Sequence, residues 1–120
     1  MNASLFTRSV LAFTLFAVVG FAAPAFGDTQ KAKRLLLIGQ GPDGHPPSTH
    51  EYMAGVRVLE KLLAPVQGLQ TTVVNADEPW PEGPALIDQA DGVVMFVTQG
   101  ARWIQNDPKR QAALKRVAQR

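Results

Sequence analysis

Apolar residues in this chain fall either in short unbroken runs or at intervals of three and four, and the two patterns alternate. This predicts strands separated by helices. The runs are Leu35–Ile38, Leu69–Asn75 with β-branched Thr71, Thr72, Val73 and Val74, and Gly92–Val97. The last is apolar throughout, as in a parallel strand buried on both faces. Between the first two runs, Met53, Val56, Leu59 and Leu62 or Leu63 share one face of a helix from about Thr49 to Leu63. Arg57, Glu60 and Lys61 are left for solvent, and Pro65 and Gly68 end the helix. A loop holding Pro79, Trp80, Pro81 and Pro84 leads to a short helix over Ala85–Gln89. Asp107 followed by Pro108 marks the start of a final helix carrying Ala112, Ala113, Leu114, Val117 and Ala118.

Strands alternating with helices define an α/β fold with a parallel sheet. The reading is a flavodoxin-like doubly wound sheet in three α/β/α layers, with strand order 2-1-3 and truncated after its third βα unit. In that order the topological switch lies between strands one and three, so the loops after them face one crevice. These loops are Gln40–His50 and Thr98–Trp103. The first opens into its helix through Ser48 and Glu51, spaced as a capping box, which places His50 in the first helical turn.

The segment before the first strand is of another kind. Arg8 precedes nineteen uncharged residues, Ser9 to Gly27, and Ala23-Pro24-Ala25 and Ala25-Phe26-Gly27 are small-x-small cleavage patterns. This is the layout of a secretory signal peptide, residues 1–27, and implies a periplasmic or secreted protein with no membrane association after cleavage. An uncleaved anchor competes with it, because nineteen residues approach the ~20 that span a bilayer. With no cysteine, the exported domain has no disulfide and depends on an ordinary core. Removing Arg8 from the twelve Lys and Arg leaves eleven against ten Asp and Glu. The bases are scattered, so nothing points to nucleic acid.

Candidate chemistry collects in the first loop. Gly39-Gln40-Gly41-Pro42-Asp43-Gly44 spells G-x-G-x-x-G, but His45-Pro46-Pro47 delays the helix that should meet a pyrophosphate. The acid expected ~20 residues on, at the end of the second strand, has no good candidate, since Asp77 lies 33 residues past Gly44, so a dinucleotide site is not expected. His45 and His50 are the chain's two histidines. They are either an acid/base pair or metal ligands, with Glu51 to orient a ring, or simply two solvated loop residues. Two histidines alone do not define a metal site, and neither metal nor other cofactor is specified. Pro42-Asp43-Gly44 is turn chemistry. Trp80 and Trp103 suit either a sugar-stacking surface or the core. A nucleophile elbow, P-loop and EF-hand are absent.

The segment RLLLIG–GPDGHPPSTHEYMAGVRVLEKLL, followed by ADGVVMFVTQG, resembles the ThuA-like (trehalose utilisation) family. The likeness rests on His45, the triplet His50-Glu51-Tyr52, Gly55 and the helix Val58–Leu63. It implies a class I glutamine-amidotransferase-like fold and a role in sugar metabolism, with this chain as its N-terminal portion. Two functions follow as expectations. One is a sugar-active enzyme in which His45 or His50 exchanges protons alpha to a carbonyl, Glu51 holds an imidazole, and Gln99 or Arg102 binds substrate oxygens. The other is a non-catalytic carbohydrate-binding or partner-docking module.

Overall fold

The computed structural model describes residues 31–120, so the leader and its cleavage patterns lie outside the described residues. Three strands, β1 (Lys33–Gly39), β2 (Leu69–Asn75) and β3 (Gly92–Phe96), form one parallel sheet in the order β2-β1-β3. Four helices accompany them: α1 (Tyr52–Leu63), α2 (Gly83–Gln89), α3 (Gly100–Gln105) and α4 (Pro108–Ala118). The protein is therefore α/β, as the alternating pattern predicts, and its strand order is that of the flavodoxin-like arrangement.

The central strand shows why its sequence is apolar without alternation. Leu36 and Ile38 point into a cluster with Ala76, Trp80, Ile87, Ala90, Trp103 and Ala113, on the side of α2, α3 and α4. The pleat turns Leu37 and Gly39 to the other face, where Gly39 meets Met53 and Val56 of α1. Leu37 and Ile38 are fully buried, each worth roughly 1.5–3 kcal/mol. Helices thus cover both faces of β1.

Three elements depart from the sequence-based expectation. Helix α1 begins at Tyr52 rather than Thr49, and His50 precedes it instead of occupying its first turn. Only half of the capping box forms: Ser48 N–H donates to Glu51 Oε1 at 2.9 Å. Ser48 itself adopts a left-handed backbone, φ 68°, which is not the extended geometry of an N-cap. The second departure lies after β3, where the loop expected over Thr98–Trp103 is largely helix α3. Gln99, also left-handed, turns the chain into it.

Strand β3 is the third. It lies at an edge of the sheet, and Met95 and Phe96 are exposed rather than buried on both faces. An uninterrupted apolar run reports β-propensity, but not how many neighbours the strand has. In α1, Leu63 is the inward member of the Leu62–Leu63 pair, while Leu62 is exposed.

The tryptophans belong to the core, not to a sugar surface. Trp80 and Trp103 are buried and stacked, with centroids 5.7 Å apart. Arg110 of α4, 1% exposed, lays its guanidinium 3.9 Å from the Trp103 ring and donates to Glu78 Oε1 at 2.7 Å.

Candidate functional site

The loop after β1 is fixed at its root by one side chain. Gln40, buried at the strand's carboxyl end, donates from Nε2 to the Ala76 carbonyl after β2, at 3.2 Å. Its Oε1 accepts the Thr98 N–H after β3, at 2.9 Å. One amide therefore ties together the ends of all three strands. Gly41 N–H donates to Asp77 Oδ1 and Asn75 Nδ2 to Asp77 Oδ2, each at 2.9 Å, completing the floor. The loop after β1 is joined to the residues that follow β3 by the Gln40–Thr98 hydrogen bond. The recess above this floor, however, is lined by residues of the segment Pro42–Glu51 alone, not by both loops of the crevice that the strand order led us to expect.

Above that floor, Asp43 is the hub. Its Oδ1 accepts the His45 N–H at 3.2 Å, the local turn that the sequence announces. Its Oδ2 accepts the Tyr52 hydroxyl at 2.7 Å and His50 Nδ1–H at 2.9 Å. These donors favour the ionised carboxylate. The Tyr52 hydroxyl foremost, then His50 and the His45 N–H, hold Asp43 well below the usual carboxylate range against the desolvation that opposes them. In return, the Asp43 carboxylate pushes the Tyr52 phenol above its ordinary value.

Both histidines meet at this hub. Their rings lie edge to face with centroids 4.6 Å apart, and His45 Nε2 is 4.0 Å from Asp43 Oδ2. Tyr52 joins the cluster to the sheet, its ring packing edge-on against Phe96 of β3 at 5.0 Å. A recess of about 130 Å³ opens among His45, His50, Asp43, Glu51 and three prolines.

His45, His50 and Glu51 are thus brought to one place. Glu51 lines the recess, but its carboxylate caps Ser48 N–H. Asp43, not Glu51, holds the imidazole. The reason is reach: Glu51 is adjacent to His50 in the chain and turned back along the loop, whereas Asp43 faces it across the turn. Gln99 and Arg102 are exposed at the start of α3 and do not line the recess. Asp43, Tyr52 and Gln40 are the site residues that spacing alone missed. Asp43 read as a turn former because its second role depends on the loop folding back. Tyr52 was visible only as the third member of the His-Glu-aromatic triplet.

With Nδ1 engaged by Asp43, Nε2 is the His50 ring nitrogen left for a ligand. No protein-family model, curated protein or solved structure matches the chain.

Proposed function

We propose that this chain is an exported ThuA-like domain protein that acts on or binds a sugar or keto-sugar. The observation that carries this is the His50–Asp43–Tyr52 chain of hydrogen bonds at the carboxyl ends of β1 and β3. That is where open α/β sheets bind ligands. His50 Nε2 takes the proton alpha to a keto group, Asp43 orients the ring, and Gln99 or Arg102, exposed at the start of α3 outside the recess, reaches the hydroxyls of a ligand that extends beyond it. The sugar itself comes from the resemblance of the GPDGHPPSTHEY loop to the family, and export from the leader. The test is solvent deuterium exchange alpha to the carbonyl of a keto-sugar, followed by NMR on the chelator-treated chain. Exchange that disappears in His50→Ala supports the reading, and no exchange above the uncatalysed rate defeats its catalytic form.

A specific observation favours the second reading, a non-catalytic carbohydrate-binding or docking module. The recess of about 130 Å³ is below the ~300–1,000 Å³ that encloses a small molecule. Saturable sugar binding without exchange is its expected signature.

A further inference from the structure

The sequence holds two histidines and no cysteine, so its whole supply of imidazole and thiol ligands is His45 and His50. Folding brings both to one carboxylate. Donor atoms of Asp43, His45 and His50 all lie within 4.8 Å of one another. Asp43 Oδ2 is 2.9 Å from His50 Nδ1 and 4.0 Å from His45 Nε2. A metal bound at ~2.0–2.2 Å holds neighbouring donors ~3–3.5 Å apart, so these distances bracket a coordination sphere.

From this juxtaposition we infer that Asp43, His45 and His50 bind a divalent first-row transition metal, zinc or its analogues. Two imidazoles with one carboxylate suit these ions, whereas magnesium and calcium prefer all-oxygen ligation. The surroundings fit in two further ways. The Tyr52 hydroxyl donates to the ligating carboxylate, the outer-shell bond that orients such ligands. Pro42, Pro46 and Pro47 line the recess and restrict the backbone that carries the donors.

Binding replaces the His50–Asp43 hydrogen bond: the imidazole moves its proton to Nε2 and turns the Nδ1 lone pair to the ion. The histidine side chains are 57% and 41% exposed, which leaves the outer coordination positions to water or a ligand oxygen. The metal would use the same Asp43 and His50 as the sugar reading, and in place of their hydrogen bond, so the two are read separately: metal uptake without any sugar, and proton exchange on metal-free protein.

The experiment uses the full, tag-free chain, stripped with chelator and titrated with zinc and with cobalt(II). One equivalent is expected to bind, with the visible cobalt spectrum of mixed nitrogen and oxygen ligation and ring shifts of both histidines by NMR. Affinity should fall at least tenfold in each of His45→Ala, His50→Ala and Asp43→Asn. Both histidines are exposed, so their variants keep the fold, and circular dichroism verifies it. Absence of saturable one-to-one uptake overturns the inference, as do wild-type affinity in both histidine variants and equal competition by magnesium or calcium.

Discussion

Tyr52 and Asp43 carry the electrostatics of the loop between them, and each shift makes a separate claim about pH. The Asp43 carboxyl is lowered on folding, so its contribution is present above the ordinary carboxylate range. It is lost as pH falls through the depressed value. Tyr52 is raised, so its contribution is complete below the ordinary phenol value of ~10 and lost as pH rises through the higher folded one. Tyr52 is the chain's single tyrosine, so its phenolate absorbance can be followed without interference. The titration midpoint is expected above that of a free phenol and should return toward it in Asp43→Asn, where the neighbouring charge is gone. An unchanged midpoint in that variant would show that the carboxylate is not the cause. The same pair marks a boundary of sequence reading. Asp43 in the loop and Tyr52 at the start of α1 are nine positions apart, and no spacing rule connects them.

Elements followed the sequence where a single local rule decided them. Asp107 accepts from both Lys109 N–H and Arg110 N–H, so the acid-proline start of α4 is a working N-cap. Asp107→Ala should cost about 1 kcal/mol in a thermal or denaturant transition. The start of α1 resisted prediction because two rules competed there. Ser48 and Glu51 have capping-box spacing, but the turn through Pro46 and Pro47 gives Ser48 a left-handed backbone and delays the helix. Where α1 crosses β1, the sequence shows only a glycine at the strand's end. A Cβ on Gly39 would stand 2.7 Å from Met53 Sδ and 3.2 Å from Met53 Cα. The sulfur can swing aside, but the backbone contact cannot relax without moving the helix. Gly39→Ala is therefore expected to destabilise by roughly 1–3 kcal/mol, as overpacking does. A neutral effect on unfolding would mean that α1 is free to shift against the sheet.

At the scale of the molecule, the α/β layers were legible because alternating strand-like and helix-like runs leave few ways to bury both faces of a sheet. The strand order 2-1-3 entered with the flavodoxin-like arrangement and not from the apolar pattern. How the three strand ends are joined was not legible. Gln40 looked like one polar loop residue among several, yet it is buried and bonds to residues 36 and 58 positions further along the chain. Its amide is matched to its partners: the NH₂ meets a carbonyl and the oxygen meets an N–H. Gln40→Ala leaves the Thr98 N–H and the Ala76 carbonyl without that partner, at about 1–3 kcal/mol for each group that water does not reach. Loss of about 2 kcal/mol in global stability is expected, together with faster hydrogen exchange at the Thr98 amide. Gln40→Glu separates the two contacts. A carboxylate still accepts from Thr98 but sets negative charge against the Ala76 carbonyl, so it should protect the Thr98 amide while remaining less stable than wild type. If Gln40→Glu matched wild type in both measurements, the bond to Ala76 would contribute nothing, and the crevice floor would rest on β1 and β3 alone.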